Sequence, residues 1–259
     1  SHHIISSGGK RMRPILHLLI SGMNGEINEI NHKIAAIIEF IHTATLLHDD
    51  VVDKSEKRRN IKTANALFGN AASVLVGDFI YSRSFQMMVD IDNMKIMKIL
   101  SDTTNSISEG EVLQLLNNHN PDISEDQYFK VIQFKTAKLF EACGSLAGIS
   151  NENSPEIIDS YSKIGLHFGI IFQLIDDILD YSGDSSQIGK NLGDDLNEGK
   201  VTLPLIYAMH DSNEQQCKII KDAIKIGDIS RLPDIIEIIE ETKSISKVQI
   251  KSEDHFKKI

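Results

Sequence analysis

The sequence predicts an all-α fold, and three features of the 259-residue chain support that prediction. Apolar residues recur at three- and four-residue steps along most of the chain, which is the spacing of one helix face. Alternating apolar and polar residues, the pattern of a half-buried strand, are scarce. Clusters of Gly, Asn, Asp, Pro and Ser separate the periodic segments. We therefore expect residues 1–259 to form a single-domain helical bundle around a central cavity.

The helical segments follow one another with short breaks. In the first segment, Ile34, Ile37, Ile38 and Ile41 share one face. The breaks are rich in residues that favour turns. The predicted helices are residues 31–47, 71–89, 94–117, 125–148, 155–181, 203–211 and 215–226. The breaks are residues 6–9, 22–28, 117–122, 150–154 and 182–199. The last break is long and charged, as functional lids often are.

The composition is that of an ordinary globular protein, with 41% hydrophobic and 25% charged residues. Its longest uncharged stretches, residues 15–24 and 164–175, are shorter than the roughly 20 residues that cross a bilayer, so we expect no membrane span. Cys143 and Cys217 occur without a signal-peptide pattern, which favours a reducing, cytoplasmic location and no disulfide. The formal net charge of −10 argues against nucleic-acid binding, so a polyanionic substrate would have to be held by local cations or metal ions.

A first acidic cluster ends the helix predicted over residues 31–47, in the stretch LLHDDVVDKSEKRRN. Asp49 and Asp53 are four residues apart and share a helix face, while Asp50 lies about 100° round from Asp49. Carboxylates this close repel one another, and a hard divalent cation removes the repulsion. Magnesium in particular binds one or two carboxylates, waters and phosphate oxygens. Taken alone, the cluster fits a solvated acidic helix end equally well.

A second acidic cluster, in FQLIDDILDY at residues 172–181, decides between these interpretations. Asp176, Asp177 and Asp180 lie inside an apolar run, and burying such carboxylates unpaired would cost several kcal/mol each. Something positive is therefore expected beside them. Two DDxxD motifs at the ends of long helices are expected to face each other across the bundle cavity and to clamp one polyphosphate through shared metal ions.

Further motifs occur in order along the chain. They are GGKRMRP at 8–14, LLHDDVVD at 46–53, RR at 58–59, GNAASVLVGDF at 69–79, EGEVLQL at 109–115, KTAKLF at 135–140, FQLIDDILDY at 172–181 and GKNLGDDLNEGKVTLP at 189–204. With these motifs the chain resembles the trans-isoprenyl diphosphate synthases over about residues 8–208. The resemblance is closest to the long-chain bacterial members that make octaprenyl diphosphate.

The resemblance implies a prenyltransferase of isoprenoid biosynthesis. Such enzymes ionise an allylic diphosphate, let the carbocation be attacked by the double bond of isopentenyl diphosphate, and then remove a proton, in repeated cycles. It implies farnesyl diphosphate as the allylic substrate and octaprenyl diphosphate, a membrane-seeking precursor of quinone side chains, as the product. The family's proton acceptor is the released diphosphate itself. Two or three Mg²⁺ ions would stabilise the departing diphosphate.

The resemblance also assigns roles to individual residues. Asp49, Asp53 and Asp176 are the first choices as metal ligands, and Asp50, Asp177 and Asp180 would be supporting ligands or would lie just behind them. Contacts to the allylic diphosphate are implied for Arg58, Lys135, Thr136, Gln173, Lys190 and Lys200. Contacts to isopentenyl diphosphate, made without metal, are implied for Lys10, Arg13, His42 and Arg59. The residues implied to act in catalysis itself are Asp49, Asp53, Arg58, Lys135 and Asp176.

Without the resemblance, these binding residues have ordinary explanations. A lone His on an apolar helix is more often a satisfied core residue, and residues 10–13 would read as a solvated loop. His42 precedes Asp49 by seven residues and so lies on the same helix face, which supports a shared site. Glu109, Glu111 and Gln114 fit a cavity lining, a surface or a core position equally well.

Product length is expected to depend on the residues before the first aspartate. Ile41 and Thr45 lie two turns and one turn before Asp49, and Ala44 is five residues before it. Short-chain relatives carry Phe or Tyr four or five residues before this aspartate, so the small residues here imply a product longer than geranylgeranyl diphosphate. Met88 is expected near the floor of the channel, although a Met at this spacing is also typical of plain core.

Several features lie outside the family pattern. Asn60 stands where a Gly commonly follows the Arg pair. The chain begins with Ser1, and the family's first helix has no counterpart, so we expect an incomplete N-terminus. The tail after about residue 230 is hard to align and resembles segments joined from separate places. Relatives work as homodimers, and we expect the same here, although the sequence does not show which helices pair.

Other function classes share part of this pattern. A class I terpene cyclase has the first aspartate motif, but its second metal motif mixes Asn, Ser or Thr with Glu, whereas this chain repeats aspartates as DDILD. A non-catalytic subunit of a heteromeric prenyl synthase is expected to lose one or more aspartates, and all six are present here. A calcium-binding protein would need the D-x-D-x-D-G loop order, which neither cluster has.

Overall fold

A computed structural model describes residues 9–23, 25–58, 61–182 and 192–259 of the chain. Within those ranges, helices form nearly all of the regular structure, and the strands are limited to one short antiparallel pair. The all-α prediction is therefore confirmed. In chain order the elements are α1 (Met12–Met23), α2 (Glu29–Val52), β1 (Lys57–Arg58), β2 (Ile61–Lys62), α3 (Ala64–Phe68), α4 (Asn70–Asp90), α5 (Met94–Asn117), α6 (Glu125–Ile132), a π-helical turn (Gln133–Ala137), α7 (Lys138–Ser150), α8 (Pro155–Ser182), α9 (Asp194–Asn197), α10 (Leu203–Asp211), α11 (Glu214–Ile226), a 3₁₀ turn (Ile229–Arg231), α12 (Leu232–Glu241) and α13 (Ser244–Phe256).

The observed helices follow the predicted periodic segments closely, with two kinds of difference. The helix predicted over residues 125–148 is divided by the π-helical turn, which packs against Gly110 of α5. Five of the described helices were not among the predicted segments, namely α1, α3, α9, α12 and α13, and α9 lies in the break predicted over residues 182–199. Among the helices that the structure describes, none combines the length and the apolar character needed to cross a bilayer.

The chain folds into two compact units, each made of two separate stretches. Unit 1 comprises Ser1–Asn105 and Leu139–Leu166, and unit 2 comprises Ser106–Lys138 and His167–Ile259. Helices α5 and α8 therefore each begin in unit 1 and end in unit 2. The expectation of a single domain stays a prediction.

Unit 1 is built around α2, which packs against α1 and α4. Ile34, Ile37, Ile38 and Ile41 have no exposed surface, as their shared face predicts. Burying side chains of this kind contributes about 1.5–3 kcal/mol each. The first acidic motif therefore lies at the end of a helix whose apolar face is buried in the core of unit 1.

The start of α2 is fixed by the buried side chain of Asn31. Its Oδ1 accepts the backbone N–H of Asn28 at 2.9 Å, and the Asn28 side chain accepts the backbone N–H of Asn31 at 3.0 Å, which is a reciprocal capping box. The Asn31 amide also donates to the hydroxyl of Ser150 at 2.6 Å and to that of Ser21 at 3.2 Å. One side chain thus ties together α1, α2 and α7.

We expect Asn31→Ala to lower the free energy of unfolding by about 2–3 kcal/mol, because it removes half of the capping box and leaves the buried Ser21 hydroxyl and the half-buried Ser150 hydroxyl with one partner fewer. Chemical denaturation followed by circular dichroism measures the change. His32→Ala, on the exposed side of the same turn, is the matched control and should stay within about 0.5 kcal/mol of the native protein. An Asn31→Ala protein as stable as the His32→Ala protein would contradict the role of the network.

Unit 2 has its own apolar core, which α10 organises by packing against α11, α12 and α13. This core includes helices of the tail after about residue 230, which is hard to align from its sequence alone. Ile235 of α12 and Val248 of α13 are fully buried, so both tail helices contribute to packing. The buried apolar cluster of this unit includes Ile123, Tyr181, Leu196, Val201, Leu205, Ala208, Ile220, Ala223, Ile224, Ile235, Ile238 and Ile239.

Candidate active site

The first acidic motif occupies the last turn of α2, in unit 1, and its aspartates differ in environment. Asp50 is buried at 5% exposure, whereas Asp49 and Asp53 are half-buried. The guanidinium of Arg58 donates to Asp50 Oδ1 from Nε at 2.9 Å and from Nη2 at 2.8 Å. Burial raises the pKa of Asp50, and the Arg58 charge opposes that shift. Asp49 and Asp53 are therefore the better candidates for metal ligands, and Asp50 holds Arg58.

The short strand pair after α2 places Arg58. Lys57 and Arg58 of β1 pair with Lys62 and Ile61 of β2 in antiparallel register. The side chain of Asn65 in α3 donates to the backbone oxygen of Asp50 at 3.0 Å and fastens this segment to the end of the helix. Arg59, a predicted contact to isopentenyl diphosphate, lies outside the described residues.

The predicted isopentenyl diphosphate residues Arg13 and His42 lie together in unit 1. Arg13 Nη1 donates to His42 Nε2 at 3.2 Å, and the Arg13 guanidinium stacks on the ring of Phe140 at 4.4 Å from its centre. Burial lowers the pKa of Arg13 to about 10, so the guanidinium remains charged at neutral pH. Lys10, predicted for the same substrate, is exposed. Arg11, which was not predicted, forms an ion pair with Glu39 of α2.

A buried histidine lies one turn after Arg13 on α1. His17 is fully buried, its Nδ1 is 3.0 Å from the backbone oxygen of Cys143, and burial lowers its pKa to about 4. At neutral pH this imidazole is therefore uncharged, and its Nδ1–H donates to that oxygen. His17 is a core residue that supports the helix carrying Arg13.

The second acidic motif lies on α8, within unit 2. Asp176 is half-buried, whereas Asp177 and Asp180 are buried at 2% and 5% exposure. Burial raises the pKa of Asp177 to about 8, and the negative charge of Asp195 adds to the shift. Asp180 accepts the backbone N–H of Asp195 at 3.3 Å. Such a concentration of buried carboxylates is a chemical environment that a bound divalent cation would stabilise.

Asp177 is held by two side chains of unit 2. The hydroxyl of Tyr128 donates to Asp177 Oδ2 at 2.5 Å, and the amide of Gln173 donates to Oδ1 at 2.8 Å. The oxygen of the same Gln173 amide accepts the hydroxyl of Thr136 at 3.0 Å. Thr136 and Gln173, both predicted to contact the allylic diphosphate, are thus in direct contact.

The π-helical turn Gln133–Ala137 carries Lys135 and Thr136. Gly110 of α5 lies so close that a Cβ there would be 2.5 Å from the backbone nitrogen of Lys135, so only Gly fits. The next residue, Glu111, accepts the Lys135 ammonium at 2.6 Å. Since π turns interrupt a regular helix and often occur at functional sites, this local geometry agrees with a binding role for Lys135.

The remaining predicted residues are placed as follows. Lys200 forms an ion pair with Glu198, and its backbone N–H donates to the backbone oxygen of Asp195 at 2.8 Å. Lys190 lies outside the described residues. Of the channel residues, Ile41, Ala44 and Met88 are buried, and Thr45 is half-buried with its hydroxyl donating to the backbone oxygen of His42.

The structure contains no ready-made metal cage within the described residues, since no three His, Cys, Asp or Glu side chains there are already arranged to hold an ion. Mg²⁺ takes one or two carboxylates from a protein and completes its coordination with waters and phosphate oxygens. Asp49 and Asp53, half-buried on one helix face, supply such a carboxylate pair.

Comparison with known proteins establishes the family. The family model described as "Polyprenyl synthetase" matches residues 1–241. The chain belongs to the polyprenyl synthetase family. Its fold is the all-α isoprenoid synthase fold, and it is a long-chain trans-prenyltransferase. The function predicted from the motifs is thereby confirmed at that level.

Similar proteins place this polyprenyl synthetase among long-chain enzymes. It is 54% identical to the octaprenyl diphosphate synthase of Escherichia coli over 87% of this chain and 70% of that protein. It is 48% identical to the all-trans-nonaprenyl-diphosphate synthase (geranyl-diphosphate specific) of Rhodobacter capsulatus, over 95% of this chain and 75% of that one. A Caulobacter crescentus polyprenyl synthase, solved with calcium and isoprenyl diphosphate, superposes with a TM-score of 0.94 at 40% identity, over 99% of this chain and 79% of that one.

The sequence of this polyprenyl synthetase did not predict the contacts of two polar residues, Tyr128 and Glu111. Tyr128 lies 49 residues from its partner Asp177, so no local spacing indicated the contact. The sequence does not distinguish Glu111 from Glu109 and Gln114, whereas in the structure Glu111 forms an ion pair with Lys135. For Tyr128, the available signal was its position seven residues, or two helical turns, before Lys135.

Proposed function

We propose that this chain makes octaprenyl diphosphate by adding isopentenyl diphosphate repeatedly to farnesyl diphosphate in a Mg²⁺-dependent reaction. The observation that carries the proposal is its 54% identity to the E. coli octaprenyl diphosphate synthase. The small residues Ala44 and Thr45 before the first aspartate motif support a long product. A product of this size is membrane-seeking, in keeping with use as a quinone side chain.

Ionisation of the allylic diphosphate is the step in which the protein must stabilise the most developing charge. Two or three Mg²⁺ ions, when bound, stabilise the charge that develops on the leaving diphosphate. In this proposal the metal ligands are Asp49, Asp53 and Asp176, with Asp50, Asp177 and Asp180 as supporting ligands or directly behind them. Arg58, Lys135, Thr136, Gln173, Lys190 and Lys200 bind the allylic diphosphate.

Several contacts support this assignment. Asp50 orients Arg58, Glu111 orients Lys135, and Thr136 and Gln173 orient each other. Cations and donors held in advance at the position of the developing charge do not have to reorganise during reaction, which is where much of an enzyme's rate acceleration arises.

Isopentenyl diphosphate keeps its diphosphate throughout and requires a separate, metal-free anion site. We assign Lys10, Arg13, His42 and Arg59 to it. The pairing of Arg13 with His42, and the stacking of its guanidinium on Phe140, support the assignment because they orient a charged, bidentate donor. The released diphosphate then takes the proton from the condensed intermediate.

One incubation tests the proposed function. The protein is mixed with farnesyl diphosphate, labelled isopentenyl diphosphate and Mg²⁺, and the products are separated by chain length after removal of the diphosphate. We expect incorporation that stops at octaprenyl and that disappears when Mg²⁺ is chelated. A protein that incorporates no label would support the alternative of a non-catalytic subunit, and products of geranylgeranyl length or shorter would contradict the long-chain assignment.

We also propose that the protein acts as a homodimer in the cytoplasm. Leu75 and Phe79, one turn apart on α4, are 67% and 69% exposed, and large apolar side chains exposed side by side are typical of a protein interface. Cys143 and Cys217 are free thiols, which fits a reducing compartment.

We expect Leu75→Glu/Phe79→Glu to convert the dimer to a monomer, because it places four charges at a two-fold interface. Light scattering after size-exclusion chromatography measures the mass, and the single chain is 28.9 kDa. Ile226→Glu, which charges an exposed apolar residue of α11, is the matched control and should leave the mass unchanged. A dimer that survives the double substitution would exclude this face of α4.

A further inference from the structure

A chain of four side chains in unit 2 links a buried tyrosine to two residues assigned to the allylic diphosphate. Tyr128 donates to Asp177, Gln173 donates to Asp177 and Thr136 donates to Gln173, at 2.5, 2.8 and 3.0 Å. We call Tyr128, Asp177, Gln173 and Thr136 the Asp177 network. Within it, Tyr128 is the one member that carries no role so far.

The hydrogen bonds of the Asp177 network fix the orientation of the Gln173 side chain. Its amide nitrogen can only donate and bonds Asp177 Oδ1, while the Tyr128 hydroxyl donates to Asp177 Oδ2. The Gln173 amide oxygen is then left to accept from Thr136. Gln173 is thus held at both ends of its amide and cannot flip without losing two bonds.

Tyr128 also sets the position of the segment that carries Lys135 and Thr136. Tyr128 is 5% exposed on α6, and α6 continues directly into the π-helical turn. The segment is fastened to α8 at both ends, by Tyr128 on Asp177 and by Thr136 on Gln173. Removing the Tyr128 hydroxyl would release one end and leave Asp177 buried with one donor fewer.

We propose that Tyr128 is a positioning residue for the allylic diphosphate, acting through Asp177 on Gln173 and Thr136. The inference rests on the proposed function, because it assumes that Gln173 and Thr136 bind that substrate. It makes Asp177 an anchor for neighbouring side chains, with the half-buried Asp176 beside it in the motif. The isopentenyl diphosphate residues Arg13 and His42 do not belong to the network, so Tyr128 should affect one substrate and not the other.

The test compares Tyr128→Phe with Tyr207→Phe. Both changes delete one phenolic hydroxyl in unit 2, but the hydroxyl of Tyr207 interacts with Glu125 and Lys251 and lies outside the Asp177 network. We expect Tyr128→Phe to raise the KM for farnesyl diphosphate about tenfold and to leave the KM for isopentenyl diphosphate within about twofold. Tyr207→Phe should change neither. A merely structural defect would lower activity without separating the two substrates.

Two further measurements make the result independent of turnover and of folding. Calorimetric binding of the non-ionising analogue farnesyl thiolodiphosphate, with Mg²⁺, should weaken about tenfold in Tyr128→Phe and be unchanged in Tyr207→Phe. Asp177→Asn should have a similar effect, and the double variant Tyr128→Phe/Asp177→Asn should be no worse than Asp177→Asn alone, because both act through one contact. All assays are run well below the lowest melting temperature of the set.

The outcomes separate this inference from the proposed function. A Tyr128→Phe enzyme with native KM for farnesyl diphosphate, or one in which both KM values rise together, would overturn the inference while leaving the proposed function intact. Additive losses in the double variant would also overturn it. A native protein that neither turns over nor binds the analogue would overturn the proposed function, and the inference with it.

Discussion

Asp49→Asn is expected to lower kcat by about 1,000-fold. The change removes the charge of a proposed metal ligand while keeping the size of the side chain, and loss of a single preorganised charge-stabilising group typically costs 100- to 1,000-fold or more. Asp53→Asn should have a similar effect, since the two carboxylates share one helix face and are half-buried. Initial rates of isopentenyl diphosphate incorporation at saturating Mg²⁺ measure the loss.

The matched control for this experiment is Asp90→Asn, an exposed aspartate at the end of α4 in the same unit. It should stay within about twofold of the native rate, as surface substitutions away from a site usually do. An Asp49→Asn enzyme that keeps a tenth or more of the native kcat would show that this carboxylate is not a ligand of a catalytic metal ion.

Ala44→Phe is expected to shorten the product by several isoprene units. Ala44 is 1% exposed and packs with Leu47, Ala64 and Ile80, so a phenyl group there must project into space that the growing chain is proposed to use. Overpacking also costs about 1–3 kcal/mol of stability, so products are compared at a temperature where the variant is fully folded. Chromatography of the dephosphorylated products measures the chain length.

Ala35→Phe controls for general overpacking of α2. Ala35 is buried on the same helix, and nine residues of separation turn it to the opposite side from Ala44. This variant should lose stability and keep the native product length. An unchanged product from Ala44→Phe, or equal shortening by Ala35→Phe, would contradict the proposed path of the growing chain.

The parts of the fold that the sequence predicted are those encoded by local periodicity. Ile34, Ile37, Ile38 and Ile41 repeat at helical spacing, so both the helix and its buried face follow from the sequence. The division of the helix over residues 125–148 did not follow, because apolar periodicity does not distinguish a π turn from an α-helix and the residue packed against this turn, Gly110, is distant in sequence. The tail helix α13 is weakly apolar and shows its buried face, at Val248, only in the folded unit.

The candidate site likewise has features that the sequence predicts and features that only the structure shows. The two DDxxD motifs are visible in the sequence because charge clusters beside apolar runs are unusual. The different environments of the individual aspartates are visible only in the structure. Asp50 binds Arg58, and Asp177 binds Tyr128 and Gln173. The first and last aspartates of the first motif are half-buried. Spacing along one helix cannot show which carboxylate faces a cation from another segment.

We propose that each of the two acidic motifs binds metal ions that the reaction requires. Counting Mn²⁺ ions by electron paramagnetic resonance, with and without farnesyl thiolodiphosphate, tests it most directly. We expect two or three ions per chain that bind tightly only with the analogue, and fewer in both Asp49→Asn and Asp176→Asn. Full metal binding in either variant would contradict the claim.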